Sequence, residues 1–218
     1  MNKRKSYAVN YLLMCGITSV VLYITATIIG AYAWPEYDSF SQSVSELIAV
    51  DAPSASIVIP LFLIYSLLVF AFGTGVFLLA KENKALKFVA IFIMAKELLG
   101  VIATLIAPMH LRGTMGTATD TWHIILTAVG VLLCMFPAII MSAKAFGGWF
   151  RVFSIVIILI FLTCGTLAGM DGAKIAENLP TPYAGLWERI NIFSYLTWVI
   201  ALTFKILKTN KANISICK

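Results

Sequence analysis

Six long apolar stretches dominate this chain, at roughly residues 11–34, 57–80, 88–107, 123–145, 152–170 and 187–207. A helix of about 20 apolar residues crosses the ~30 Å hydrocarbon layer of a bilayer with every backbone polar group satisfied internally. Composition points the same way: 61% of the 218 residues are hydrophobic and 12% charged, whereas soluble domains average about half apolar and a quarter charged. We therefore expect an all-α, polytopic transmembrane helix bundle of about six spans, with residues 1–218 forming a single integral membrane domain. The last stretch opens on Glu188 and Arg189 and meets Lys205, so its clean apolar part is short unless those charges sit at the interfaces.

Lys and Arg accumulate in cytoplasmic loops, which orients the bundle. With the N-terminus inside, the inner segments carry Lys3, Arg4, Lys5, Lys81, Lys84, Lys87, Lys144, Arg151, Lys205, Lys208, Lys211 and Lys218, and the outer ones only Arg112, Lys174 and Arg189. Most acids fall outside, and Trp34, Trp122 and Trp187 land at outer boundaries. Both termini are thus expected in the cytoplasm and the chain in the cell membrane. The net charge of +6 is explained by this topology, so membrane lipids, not nucleic acid, are the expected partners. The basic start and the apolar run after it are too long for a secretory signal, whose apolar core runs about 7–15 residues, and an uncleaved first helix is expected. Cys15, Cys134 and Cys164 lie in apolar runs and Cys217 in the tail, which suits neither a disulfide framework nor a zinc spacing. Pro137 interrupts the fourth stretch and should distort it.

The candidate chemistry gathers in the outer segments. In the first, Phe40, Val44, Leu47 and Ile48 recur at helical spacing, with Ser41, Gln42, Ser45 and Glu46 on the complementary arc. That pattern predicts an amphipathic helix over about 39–50, lying at the membrane surface or over the bundle mouth. The next outer segment holds both histidines. Asp120 and His123 stand three residues apart on the first turn of a helix, where a carboxylate could orient an imidazole as a general base. Glu188 and Arg189 begin the last span, and Asp171 ends the fifth. No cofactor is expected. Three histidines for a zinc site are lacking, although a mixed site of His110 or His123 with Asp120, Glu46 or Asp171 stays open.

Lys96 and Glu97 stand midway through the third span, where a charge costs at least ~2.5 kcal/mol. Adjacent helical residues point about 100° apart, so each is expected to find its partners on other spans, among Thr25, Thr163, Thr166, Asn191, Ser194 and Tyr195.

The run from Tyr37 through Asp38, Ser39, Phe40, Ser41, Gln42, Ser43, Val44, Ser45 and Glu46 to Leu47, the His at the start of the fourth span, and Glu188–Arg189 opening the last resemble the six-helix membrane family called domain of unknown function 998. The first-loop pattern is more distantly similar to the Frag1/DRAM/Sfk1 membrane proteins, some of them linked to lipid remodelling. The resemblance implies the fold and no agreed reaction. Three functions stay open. In the first, an outward-facing site binds a lipid headgroup or small amphiphile and could hydrolyse or transfer it. There Asp120 and His123 act as base, Ser45 or a water as nucleophile, Glu46 and Glu188 orient groups, and Arg112, Arg189 and Asp171 line the ligand. The others are a small transporter or ion-coupled channel using Lys96 and Glu97, and a non-catalytic membrane scaffold or partner subunit.

Overall fold

The computed structural model describes residues 3–216, with side chains described over 7–210. Cys217 and Lys218 lie outside the described residues, as do the side chains of Lys3, Arg4, Lys5 and Lys211. Six helices are long and apolar enough to cross a membrane, and no strand forms among the described residues. In chain order the helices are α1 (Lys3–Ala33), α2 (Ala55–Ala80), α3 (Lys84–Leu105), α4 (Ala118–Val129), α5 (Phe136–Phe146), α6 (Gly148–Met170), the short α7 (Gly172–Ala176) and α8 (Ala184–Ile216). α4 and α5 make one span, joined by a π-helical turn over Gly130–Met135. That wider turn lies just ahead of Pro137, whose ring crowds the carbonyl four residues back and which offers no N–H.

Helix starts follow local chemistry. The Asn83 side chain accepts from the Leu86 N–H at 3.1 Å, and Thr117 and Asp120 form a reciprocal capping box, so α4 begins five residues ahead of His123. Two glycines in the left-handed region, Gly147 (φ 58°) and Gly148 (φ 49°), let α6 start at once after α5.

The spans close a ring that follows chain order. α1 packs on α2, α2 on α3, α3 on α4 and α5, α5 on α6, α6 on α8, and α8 back on α1. Leu67, Leu133, Val152 and Leu159 point outward and exposed, as lipid requires, while Leu13, Phe72, Val76, Phe150, Trp198 and Leu202 fill the interior. At one end the ring carries residues 34–54, 106–117 and 171–183; we call this the loop end.

The expected amphipathic helix over 39–50 does not form. Only Ser45–Ile48 makes a single 3-10 turn, with Leu47 and Ile48 buried against Tyr37, Val44 and Val58. Side chains take the backbone groups that a helix would have used. Asp38 accepts from the Phe40 N–H (3.1 Å) and the Ser41 hydroxyl (2.7 Å), Gln42 Oε1 accepts from the Asp38 N–H (2.8 Å), and Tyr37 donates to the Ser43 carbonyl (2.6 Å). The segment folds into the mouth of the ring as a plug instead of lying on the membrane. The Lys96–Glu97 expectation holds in part: Lys96 lies over the ring of Tyr195 on α8 and Glu97 accepts from Ser66 on α2, but the two also pair with each other, Nζ to Oε2 at 3.2 Å.

α1 and α2 pack closely where Gly75 meets Leu12 and Leu13. A Cβ at Gly75 would stand 2.9 Å from Leu12 Cβ and 3.1 Å from the Leu13 backbone nitrogen. Gly75→Val should therefore lower the thermal midpoint of the detergent-purified protein, by about 1–3 kcal/mol of stability. Gly169→Ala, where nothing stands within 4 Å, should leave it unchanged or raise it.

Candidate functional site

Glu46 is the centre of the plug. Its carboxylate is fully buried and meets Arg112 in a two-pronged pair, Nε to Oε2 and a terminal nitrogen to Oε1, both at 2.8 Å. The remaining lone pairs take the Ser43 N–H (2.9 Å), the Ser43 hydroxyl (3.3 Å) and the Gln42 amide (3.2 Å). Arg112 also donates to the Ser41 carbonyl (3.0 Å) and to Thr181 (3.3 Å), and Thr181 donates to the same carbonyl (3.1 Å). The hydrogen-bonded Glu46 carboxylate raises Arg112 above the usual guanidinium range.

Arg189 grips the other side of the plug. Its guanidinium donates to the carbonyls of Ser39 (2.6 Å), Gln42 (2.8 Å) and Gly185 (3.2 Å) and to the Tyr37 hydroxyl, and it stacks over the Tyr37 ring at 5.5 Å. Burial pushes the Tyr37 phenol above its ordinary range, so it stays protonated and keeps its donated bond. Exposed Asp38 is held below the ordinary carboxylate range, chiefly by the Ser41 hydroxyl. α8 approaches so closely that a Cβ at Gly185 would lie 2.1 Å from the Gln42 carbonyl oxygen. Glu188 completes the latch by accepting from the Val44 N–H and, at 3.3 Å, from the Ser45 hydroxyl.

Beneath the plug lies a cavity of about 140 Å³ inside the ring. Ser45 and Glu188 border it on the plug side, Lys96, Glu97 and Ser66 at depth, and His123 and Thr127 on α4; Tyr23, Phe62 and Tyr65 supply aromatic wall. Glu97 accepts from Ser66 at 2.7 Å and from Lys96, whose ammonium lies over the rings of Tyr195 (5.2 Å) and Tyr65 (5.9 Å). The His123 Nδ1 faces two carbonyl oxygens at the end of α3, Ala107 at 3.0 Å and Ala103 at 3.1 Å. Both are acceptors, so Nδ1 carries the proton and Nε2 presents its lone pair.

This geometry revises several of the sequence expectations. Asp120 does not orient His123. Its oxygens are claimed by the cap, accepting from His110 N–H (2.7 Å), Gly116 N–H (3.0 Å), Thr117 N–H (2.9 Å) and the Thr117 hydroxyl (2.8 Å), and His110 Nδ1 stands 3.1 Å away. Arg112 and Arg189 direct most of their donors into the plug, and neither lines the cavity. Asp171 bonds Lys174 at 2.9 Å and does not border the cavity. Glu46 bonds to Arg112, Ser43 and Gln42 and does not line the cavity. Among the described residues no three His, Cys, Asp or Glu side chains come together as metal ligands; His110 and Asp120 meet without a third. Conversely, the cavity unites residues assigned above to separate functions, Ser45, His123 and Glu188 with Lys96 and Glu97. Ser66, Tyr65, Thr181 and Gly185 were not foreseen. Gly185 alone left a trace, as a glycine one turn ahead of a charged pair.

A buried charge that loses its partner costs about 3–5 kcal/mol. Glu46→Ala and Arg112→Ala should each destabilise the protein on that scale, and the double variant should cost much less than their sum. Thermal melts of the four proteins give the coupling. Glu36→Ala, on an exposed residue of the same loop, is the control and should melt within a degree or so of the wild type.

No curated protein and no solved structure matches the chain. A family model does, over residues 17–205, an interval that holds the plug, both of its arginines and the whole cavity lining. The chain therefore belongs to the family described as protein of unknown function (DUF998).

Proposed function

We propose that this membrane protein binds the polar end of a lipid or other membrane-borne amphiphile in the cavity beneath the plug, with the loop end facing outward. One observation carries this reading: a polar cavity stands inside a ring of spanning helices, and Thr127, one of its lining residues, is also exposed on the flank of the bundle. A group entering there could leave its apolar tail in the lipid. α4 favours such an approach, since it packs on α3 while α6 and α8 pack on each other. About 140 Å³ accommodates a head of only a few heavy atoms.

Binding fits the geometry better than turnover. The Ser45 hydroxyl donates to Glu188 and that of Ser66 to Glu97, so neither is hydrogen-bonded to the His123 imidazole that would have to activate it. Conduction through the bundle finds less support still. The polar lining stops at Lys96 and Glu97, and beyond it the interior is filled by Phe72, Val76, Phe150 and Trp198.

Extracted gently from its own membranes, the protein should carry a bound amphiphile in near-stoichiometric amount by native mass spectrometry. Gly100 borders the cavity and a Cβ there meets nothing within 4 Å, so Gly100→Leu should fill the space and shed the adduct with little change in thermal midpoint. An adduct equally abundant on both proteins, or present on neither, would sink the reading.

A further inference from the structure

Among the residues that line the cavity the formal charges are those of Lys96, Glu97 and Glu188, so carboxylates outnumber ammonium groups. Lys96 and Glu97 neutralise each other at 3.2 Å. Glu188 has no such partner: it accepts from one backbone N–H and one hydroxyl, both neutral, and among the described residues it joins no ion pair. Its neighbour Arg189 is turned into the plug, bonded to three carbonyls and a phenol. A carboxylate offers about four lone-pair positions, and Glu188 has filled two. The His123 Nε2 adds another acceptor, since its Nδ1 proton is held by Ala103 and Ala107. The aromatic wall adds Tyr23, stacked on Phe62 at 4.8 Å, and Tyr65, edge-on to Tyr23 at 5.1 Å and under the Lys96 ammonium at 5.9 Å. The lining thus combines a carboxyl group outside any ion pair, an imidazole and aromatic rings, a combination that suits a cation rich in N–H donors.

Resting on the cavity-binding reading above, we infer that the head of the bound amphiphile is a protonated amine, held by Glu188 and His123 against the rings of Tyr23 and Tyr65. An anionic head meets the Glu188 carboxylate with no free guanidinium to offset it. A neutral hydroxyl head leaves that charge uncompensated inside a helix bundle, where ionised groups normally find partners. The ammonium resolves both, and its three donors exceed what an alcohol brings.

The test compares heads on one tail. Saturable binding of radiolabelled dodecylamine, dodecan-1-ol and dodecanoate to the purified full-length protein in nanodiscs is measured against unlabelled excess. The amine should bind at least about tenfold more tightly than the alcohol, a difference near 1.4 kcal/mol, and dodecanoate should show no saturable component. Glu188→Gln should abolish the amine's advantage while alcohol binding persists, and Gly100→Leu should remove saturable binding of every head. The comparison of heads on the wild-type protein stands even if Glu188→Gln loosens the plug. Equal affinity for amine and alcohol, or tighter binding of dodecanoate, overturns the amine assignment and leaves the cavity-binding reading intact. Absence of saturable binding for all three heads removes both.

Discussion

A carboxylate sealed from water survives as an anion only where a matching charge and enough donors surround it, and Glu46 has both in Arg112, Gln42 and Ser43. Much at the loop end hangs on that pairing. It fixes the turn over Ser45–Ile48, which presents the Val44 N–H and the Ser45 hydroxyl to Glu188. It ties the loop after α1 to the segment after α3 and, through Thr181, to the segment before α8. Arg189 then secures the remaining carbonyls. Three segments distant in sequence become one lid, and the cavity exists because that lid is held rigidly above it and does not collapse into it.

The interior divides into two halves of different character. Toward the loop end it is polar, with each charge answered by a hydroxyl, a backbone group, a ring or an opposite charge. Toward the other end it is a packed apolar core of Phe72, Phe150, Trp198 and Leu202. Lys96 and Glu97 mark the boundary. Their mutual pairing, with Ser66 and the two tyrosine rings, makes a pair of mid-span charges tolerable at a depth where neither could stand alone.

What sequence could reveal here followed from the range of each interaction. The spans were legible because lipid imposes one requirement, a long apolar run, and the helices do form where those runs lie. The stretch from Tyr37 to Leu47 stood out by its density of hydroxyls and acids, yet its helical spacing misled. Val44, Leu47 and Ile48 are buried, but by a folded plug whose backbone bonds go to side chains 71 and 144 residues away, invisible to any local pattern. Asp120 and His123 misled differently. A spacing of three gives a shared face but not the partner, and Thr117, three residues away on the other side, took Asp120 into the helix cap. Lys96 and Glu97 were judged by the angle between their Cβ bonds, which neglects how far a four-methylene stem can bend. That Glu188, His123, Lys96 and Glu97 border one cavity emerges only once the ring closes.

The order in which the ring closes has a consequence for biogenesis. A chain emerging N-terminus first releases Glu46 66 residues ahead of Arg112, and Val44 144 residues ahead of Glu188. Glu46 lacks its partner until Arg112 emerges, and the carbonyls of Ser39 and Gln42 lack theirs until Arg189 does. The plug's full set of bonds is therefore complete only once α8 supplies Glu188 and Arg189, so the last span to be made is also the one that closes the mouth of the bundle.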